Sequence, residues 1–426
     1  MCTRTRTAAV FLGLVVVASP ARAQEAANKT VRLDKVVAGS PKEALEVRHL
    51  VLKGTNVEIG RALAVIAMER FDVGPEAASD KLRVRAQRRY FEKNYPILFD
   101  RMRGVAGAFG KRLDDDAWNL SNLSYVQQIR AGCSVIYFPP EITADKAGIL
   151  SRDYDFSTGT IMGEKPPAGR AGDTSRPYVV EMYPDRGYPS IAMYSYDLLS
   201  GVLDGMNSEG LTVSLMADDE LISKYGFEPT GDTGVGLGVL QTQRLLLDTC
   251  ASVEEAKEAL LTTKQYYEFI PVHYLIADRH GKAFVWEYSQ AHNKEYIIEN
   301  PGKPLVATNF SLHRHLEDGK VPSAAKVKTV CSRYCLLADR LGAQKEPLTV
   351  DFIKETHKQV DAHFTPKGTG RAPTRTLWHA LYVPEKRSVQ ISFYLRDEPE
   401  PAKEGATRDV RSEYLHFALR DPKDVK

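Results

Sequence analysis

The residues best suited to covalent chemistry are a Gly-Cys pair and an acidic cluster that follows it. The pair is Gly132 and Cys133, and the cluster, residues 152–155, reads Arg-Asp-Tyr-Asp. A cut before Cys133 would leave a free α-amine beside its sulfur, and this amine could accept the thiol proton as general base. Glycine before the cut supplies backbone freedom and no bulk. The alternative is that Cys133 is a buried structural cysteine, which is common for a free thiol.

The Gly-Cys pair and the acidic cluster are predicted to lie on strands, and helices are predicted both before and after these strands. From Cys133 onward short apolar runs predict strands, and the second of these would bring residues 152–155 back beside Cys133. Residues 56–71 predict a helix, and Ser252 is placed to cap another. Residues 384–387 predict the turn of a hairpin. This mixture indicates layered sheets with helices outside.

Three further segments ahead of the Gly-Cys pair carry predictions. Residues 24–40 are polar and predict a loose segment, and Asp114 is expected to begin a helix that runs toward Gly132. Residues 1–23 contain two early arginines, an apolar run of about eleven residues and an Ala-Arg-Ala end, the pattern of a secretory signal peptide. Such a run is too short to span a bilayer. We therefore expect a secreted or periplasmic protein without membrane insertion.

Composition and cysteine usage narrow the function. The chain has 426 residues, 43% apolar and 26% charged, which is ordinary for a globular protein, and its net charge of +2 gives no reason to expect nucleic acid as a partner. Without Cys2, four cysteines remain, too few for a disulfide scaffold. Cys331 and Cys335 lie four apart on a predicted helix, and Cys250 ends another. These three are expected to pack as small apolar residues, which leaves Cys133 as the reactive candidate.

Neither a metal nor a cofactor is expected. His313-Arg314-His315 has no second cluster of ligands at zinc-site spacing and is predicted to be an exposed loop. Residues 234–238 are rich in glycine but lack the dinucleotide-binding spacing.

Five motifs follow one another in an order that resembles a known enzyme group. In chain order they are Gly132-Cys133, Arg152-Asp153-Tyr154-Asp155, Gly205-Met206-Asn207-Ser208-Glu209-Gly210-Leu211, Thr308-Asn309 and Ser332-Arg333-Tyr334. From about residue 45 to 395 the chain resembles the N-terminal-nucleophile hydrolases of linear amides. The resemblance is to the isopenicillin N acyltransferase branch and, more distantly, to choloylglycine hydrolases and penicillin V acylases. About a hundred residues ahead of an internal Gly-Cys cut are typical of the acyltransferase branch.

The resemblance implies an α+β fold, a four-layer αββα sandwich of two antiparallel sheets between helical layers. It also implies self-cleavage between Gly132 and Cys133. Residues 1–23 would be the signal peptide, 24–132 a partly helical N-terminal chain, and 133–426 the catalytic chain. The two processed chains would stay together as a heterodimer, and a higher oligomer stays open.

The resemblance also assigns roles to single residues. Cys133 would be the nucleophile, Asp155 would hold its α-amine, and Asn309 would donate a hydrogen bond to the oxyanion. Arg152 and Arg333 would pair with Asp155. The alternatives are that Asn309 caps a turn and that the two arginines are surface charges.

The substrate implied is a small acyl amide, hydrolysed at a linear non-peptide bond through a Cys133 thioester. Ala217 stands where the bile salt enzymes place a second oxyanion asparagine, so a backbone N–H would have to replace that side chain. Acyl transfer to an amine stays open, as does an inactive binding protein on the same scaffold. A Cys–His peptidase is disfavoured, since no histidine has an evident partner motif.

Overall fold

The computed structural model describes residues 20–120, 132–160, 163–168, 171–218, 234–267, 270–289, 292–368, 370–401 and 406–426. Most of the expected signal peptide, residues 1–19, lies outside the described residues. Among the described helices, none has both the length and the apolar composition that crossing a bilayer requires.

The helices begin and end where local sequence signals indicate. Helix α2 carries a capping box, in which Thr55 and Glu58 satisfy each other's backbone N–H groups, and Ser252 caps α6 as predicted. The predicted helix at residues 56–71 is confirmed. The described helices are α1 (Pro20–Thr30), α2 (Asn56–Phe71), α3 (Lys81–Asn94), α4 (Pro96–Ala108), α5 (Val239–Thr249), α6 (Val253–Thr262), α7 (Ala324–Val327), α8 (Ser332–Ala343) and α9 (Val350–Lys358).

The strands supply two large sheets and one small one. The described strands are β1 (Val31–Gly39), β2 (Glu46–Gly54), β3 (Glu76–Ala77), β4 (Trp118–Asn119), β5 (Gly132–Phe138), β6 (Ile149–Ser157), β7 (Tyr178–Pro184), β8 (Ser190–Tyr194), β9 (Asp204–Asn207), β10 (Thr212–Ala217), β11 (Val272–Ala277), β12 (Ala283–Ser289), β13 (Lys294–Ile298), β14 (Leu305–Ala307), β15 (His363–Phe364), β16 (Thr374–Val383), β17 (Ser388–Pro399), β18 (Thr407–Arg411) and β19 (Leu415–Ala418). Strands β16 and β17 form the predicted hairpin around residues 384–386.

The two large sheets pack face to face between helices. In the described residues the first sheet has nine strands in the order β1-β2-β7-β8-β9-β10-β11-β12-β13. The second runs β14-β5-β6-β16-β17-β18, with β15 on β16 and β19 on β17. Strand β10 contacts β5 across the interior, α2 and α5 cover the first sheet, and α8 and α9 cover the second. The predicted α+β sandwich of four layers is confirmed, and in the part of the chain that the structure describes one strand pair, β2 with β7, is parallel.

The N-terminal region corrects two predictions. Residues 24–40 are not loose, because they form most of α1 and the edge strand β1, which pairs along its length with β2. Asp114 does not begin a helix; the chain turns there and continues into β4. Polar composition alone misled the first prediction, since an edge strand exposes one side to water and tolerates polar residues.

Strand β6 is buried along its whole length. All nine of its residues are buried, because one face meets the first sheet, where Arg152 reaches Asp204 on β9, and the other meets α9. Burying Arg152, Asp153 and Asp155 costs free energy unless each group is compensated. A strand that keeps three charged residues inside is therefore a candidate for function.

Candidate active site

Strand pairing places the Gly-Cys pair beside the acidic cluster. In the β5–β6 register Gly132 lies opposite Asp155, and Cys133 lies opposite Tyr154. Cys133 therefore shares one face of the sheet with Arg152 and Tyr154, and Asp155 points to the other face. The peptide between Gly132 and Cys133 thus lies at the start of a buried strand, with an arginine on one side and a carboxylate on the other.

Asn309 reaches Cys133 from the edge strand β14. Ala307 pairs with Val135, and two more residues along an antiparallel register bring Asn309 beside Cys133. The Cys133 backbone N–H donates to Asn309 Oδ1 at 2.5 Å, and Asn309 Nδ2 donates to the Ala217 carbonyl at 2.6 Å. Donors on one side and an acceptor on the other fix the amide orientation. Asn309 therefore holds the nitrogen that cleavage would turn into the α-amine.

Arg333, in the first turn of α8, donates hydrogen bonds to Cys133, Asp155 and Asn309. Its Nη1 donates to the Cys133 carbonyl and to Asp155 Oδ2, both at 3.1 Å. Its Nη2 donates to Asn309 Oδ1 at 2.7 Å. One planar guanidinium thus holds three members of the predicted site, a geometry that suits arginine.

Asp155 is a buried carboxylate with a second polar partner. Thr376 Oγ1, on β16, donates to Asp155 Oδ1 at 2.6 Å, next to an irregularity in the β16–β6 pairing. Burial raises the pKa of Asp155 above its ordinary value, while Arg333, the Thr376 hydrogen bond and Arg152 act in the opposite direction. Asp155 is therefore balanced between a desolvating environment and cations that favour its ionised form.

Arg152 lies on the thiol side of the sheet and is fully buried. Burial raises the pKa of the Cys133 thiol, the charge of Arg152 lowers it, and the charge of Asp155 raises it again. The net shift of the thiol pKa is upward, so the proton stays on sulfur in this environment. Arg152 lies 3.7 Å from a carboxylate oxygen of Asp204, so it is an interior ion-paired residue and the surface-charge alternative is excluded. The predicted pairing of Arg152 with Asp155 is wrong, because the two side chains lie on opposite faces of the sheet and Asp155 pairs with Arg333.

Residues 172–397 match the family model of acyl-coenzyme A:6-aminopenicillanic acid acyl-transferase, which covers more than half of the chain. The chain belongs to this family. The predicted resemblance is confirmed, and the chain is an enzyme of the acyltransferase and amidohydrolase class that acts on amide bonds.

Two solved structures share a looser likeness. Penicillin V acylase from Agrobacterium tumefaciens is 16% identical over 61% of this chain and 82% of its own, with a TM-score of 0.40. A mutant conjugated bile acid hydrolase from Clostridium perfringens is 15% identical over 68% of this chain and 97% of its own, with a TM-score of 0.41. No curated protein matches the chain significantly. The family assignment rests on the sequence match alone.

Asn207, in the third motif of the family resemblance, lies apart from the group around Cys133. Its Oδ1 accepts from the backbone of Glu209 and Leu211, and its Nδ2 donates to the carbonyls of Leu247 and Cys250. It therefore shapes the turn before β10 and fastens that turn to the end of α5. Cys250 is buried there, as predicted.

A buried network beneath Thr308 was not predicted from the sequence. Glu287 on β12 binds His273 on β11 and also His313, whose side chain is only 3% exposed. The prediction that residues 313–315 form an exposed loop is thus wrong, because none of them is exposed and a short 3₁₀ helix spans Leu312–Arg314. No sequence spacing indicated the pairing of Glu287 with the two histidines, because the three residues come from three separate elements.

Two clusters in the described residues bring potential metal ligands together. Asp153, His357 and His379 each place one ligand atom within 4.8 Å of the others behind β6. The Ser151 hydroxyl already lies between the two rings, 2.5 Å from His357 Nδ1 and 2.8 Å from His379 Nε2. In the second cluster, of His363, Asp397 and Asp409, Arg375 pairs with both carboxylates and already neutralises them.

Proposed function

We propose that this protein is a cysteine amidohydrolase that cleaves a linear, non-peptide amide of a small acyl compound after cutting itself between Gly132 and Cys133. The observation that carries the proposal is the convergence on the Cys133 backbone. Asn309 accepts from its nitrogen, and Arg333 donates to its carbonyl. A structural cysteine needs no such arrangement around its main chain.

Self-cleavage would begin with the Cys133 sulfur attacking the Gly132 carbonyl carbon. A carbon–sulfur bond forms, the carbon–nitrogen bond breaks, and the thiol proton moves to the departing nitrogen of Cys133. Water then hydrolyses the thioester and leaves a Gly132 carboxylate and a free Cys133 amine. Asn309 Oδ1, already bound to that nitrogen, would keep the new amine in place.

Turnover would use the same sulfur with the new amine as base. The amine takes the thiol proton, the thiolate attacks the substrate carbonyl, and the proton passes to the leaving amine. Asp155, ionised and bound by Arg333, would stabilise the ammonium form of the α-amine. Water completes the reaction by releasing the acid from the Cys133 thioester.

Two donors would serve the oxyanion in this proposal. Asn309 Nδ2 carries two protons, and the Ala217 carbonyl takes one of them. In a strand, the N–H and the carbonyl of one residue point to the same side, and residues two apart point alike. The Leu215 N–H points away from β11, since it donates to the Leu203 carbonyl, and the Ala217 N–H therefore points away from β11 as well. This backbone N–H would replace the asparagine side chain that the bile salt enzymes carry at the Ala217 position.

The chains made by the cut would remain joined. Strand β2, ahead of the cut, pairs with β7 behind it through seven residue pairs. Arg101 on α4 also binds Asp248 on α5 through two hydrogen bonds of 2.7 and 3.0 Å. The same cut chain would be secreted or periplasmic if the segment at residues 1–23 acts as a signal.

A cavity of about 630 Å³ is the candidate substrate site. Its lining includes Tyr196, whose hydroxyl hydrogen-bonds to that of Tyr154, the residue paired with Cys133. The volume lies in the range of small-molecule sites, roughly 300–1,000 Å³. The Tyr196–Tyr154 contact links this cavity to the face that carries Cys133, although neither Cys133 nor its contact residues line the cavity itself.

Acyl transfer is the second candidate, because the matching family model is named for an acyl-transferase. The two reactions share every step up to the thioester and differ only in whether water or an amine accepts the acyl group. We favour water, which an exported enzyme meets at the highest concentration.

The test is release of amine from a panel of penicillin V, N-acyl amino acids and bile salt conjugates. Cys133→Ala should abolish release, and Cys335→Ala, which changes another buried cysteine, should retain it. A second amine added to the assay separates transfer from hydrolysis. If Cys133→Ala were as active as the parent, the proposal would be wrong. If the parent releases no amine and resists alkylation at Cys133, the binding-protein alternative takes its place.

A further inference from the structure

A buried hydrogen-bond network supports the segment that carries Asn309. His273 Nδ1 lies 3.0 Å from Glu287 Oε1, and its Nε2 lies 2.6 Å from the Thr308 carbonyl. His273 and Glu287 are buried. Thr308 is the residue before Asn309, so this contact fixes the peptide that leads into the proposed site.

Glu287 is saturated by donors. Its Oε1 receives His273 Nδ1 and the backbone N–H of Leu312, and its Oε2 receives the backbone N–H and the Nδ1 of His313. An ionised carboxylate has about four acceptor positions, and all four are used here. A protonated carboxyl would lose one of them, so Glu287 is present as the anion.

The protonation state of His273 follows from its two partners. A backbone carbonyl and a carboxylate both accept and cannot donate. Both ring nitrogens of His273 must therefore carry protons, which makes the ring an imidazolium. The cation and Glu287 together hold Thr308 on one side of Asn309, and Leu312 and His313 on the other.

We propose that His273 is a positioning residue whose protonated ring places Asn309 against Cys133 by holding the Thr308 carbonyl. The inference rests on the proposed function, in which Asn309 orients the Cys133 amine and the oxyanion. His273 touches neither the substrate nor the sulfur in this role, and it acts only through the Thr308–Asn309 peptide.

The charges around the ring favour its protonated form. Burial lowers the pKa of His273, but the hydrogen bond and charge of Glu287 from β12, the charge of Asp218 after β10 and the Thr308 carbonyl together raise it above the ordinary value. Burial raises the pKa of Glu287, while its bonds to His273 and His313 lower it to about 2. His313, the remaining ionisable group on this carboxylate, lies on the far side of Glu287 from His273.

Protonation of His273 predicts the direction in which kcat changes with pH. A histidine whose folded pKa is raised contributes its stabilisation fully below its unfolded pKa of about 6.5 and loses it as pH rises through the folded value. Asn309 should therefore become misplaced at alkaline pH, and kcat should fall there while KM changes little.

Variants separate positioning from general stability. His273→Leu removes both donors and should lower kcat about a hundredfold, as small misplacements of a reacting group do, with KM within about twofold. His273→Gln keeps one neutral donor for the Thr308 carbonyl, so it should recover part of kcat and lose the alkaline decline. His379→Gln, at another buried histidine, should retain that decline even if it lowers Tm. A His273→Gln profile with the parent's alkaline decline, or His273→Leu with the parent's kcat, would overturn the inference.

A second measurement does not depend on activity. In the uncleaved Cys133→Ala protein labelled with ¹⁵N-histidine, the resonances lost in His273→Gln belong to His273. They should have the shifts of two protonated nitrogens at pH 7. A neutral tautomer at that pH would overturn the inference even if the enzyme is active. If the parent enzyme is inactive but His273 is an imidazolium, the proposed function would be wrong and the protonation state inferred for His273 would stand.

Discussion

Asp155 lies directly opposite Gly132 in the β5–β6 pair, and its carboxylate occupies the space that a side chain at position 132 would need. A Cβ added to Gly132 would lie 3.0 Å from Asp155 Oδ2 and 3.1 Å from Asp155 Cβ. Both contacts are tighter than side chains usually tolerate. The position of the carboxylate therefore favours a residue without a side chain before Cys133, in addition to any freedom that the cut itself needs.

Gly132→Ala should slow self-cleavage. The added methyl would push Asp155 away from Arg333, and such overpacking costs about 1–3 kcal/mol, or roughly fivefold to a hundredfold in rate. The accumulation of uncut chain after synthesis, followed on a denaturing gel, measures the effect. Gly342→Ala, where an added Cβ meets nothing within 4 Å, is the matched control. Cutting of Gly132→Ala at the parent's rate would contradict this account of the contact.

Asn309→Ala should fold but lose about a hundredfold or more in kcat, as the removal of an oxyanion donor does. It would also free the Cys133 nitrogen and the Ala217 carbonyl from their partner. Asn300→Ala provides the control, since Asn300 also donates to a nearby carbonyl in a loop, that of Pro304. Equal turnover in the Asn309→Ala and Asn300→Ala variants would show that Asn309 takes no part in the reaction.

Thr376→Val should shift the acid limb of the kcat–pH profile to higher pH. The Thr376 hydrogen bond lowers the pKa of Asp155 against the effect of burial, so its loss raises that pKa further. Asp155 would then become protonated, and unable to hold the ammonium, at a higher pH. Thr374→Val on the same strand should leave the limb in place. An acid limb that stays still or moves down in Thr376→Val would show that Asp155 does not set it.

Arg101→Met should destabilise the protein by about 3–5 kcal/mol, because it leaves the Asp248 carboxylate buried with one cation fewer. Arg103→Ala, which breaks an exposed pair with Asp100, should cost less than about 1 kcal/mol. Denaturant unfolding of the uncut Cys133→Ala chain measures both. Equal losses in the two variants would exclude a special role for the buried pair.

The same pair predicts a direction with pH. Burial alone would raise the pKa of Asp248, yet Arg101 and Arg244 lower it below its ordinary value. Its stabilisation is therefore present above the unfolded pKa of about 3.9 and is lost as pH falls through the folded value. Separation of the two processed chains, followed by size-exclusion chromatography, should begin only in acid, and Asp248→Asn should weaken that dependence. If the two processed chains separate as readily at neutral pH as in acid, the Asp248 ion pair does not hold them together.

The convergence of the main candidate residues could be predicted from the sequence because they lie on strongly patterned segments. Cys133 and Asp155 lie on two neighbouring strands, and Asn309 follows a third, so their chain order and the sheet together bring them close. Arg333 makes direct hydrogen bonds to Cys133, Asp155 and Asn309, which nothing in its sequence context, apart from the family resemblance, indicated. A helix position gives no indication of which strand end its side chain will reach.

The parts that the sequence could not predict depend on contacts between distant elements. His273, Glu287 and His313 come from β11, β12 and a turn after β14, and each alone resembles an ordinary polar residue. The Ala217 carbonyl lies on the opposite sheet from Cys133, and its contact with Asn309 depends on how the two sheets pack. Charge and spacing along one chain do not encode such pairings.

The central claim is that Cys133 becomes an N-terminal residue carrying both a thiol and an amine. The direct test is the intact mass of the purified protein, before and after reaction with a cyanobenzothiazole, which condenses with an amine and a thiol on the same residue. The account predicts two chains, the larger spanning residues 133–426 and gaining one adduct at Cys133, and a single unlabelled chain for Cys133→Ala. A fully active wild type that remains one chain, or that begins at another residue and gains no adduct, would contradict it.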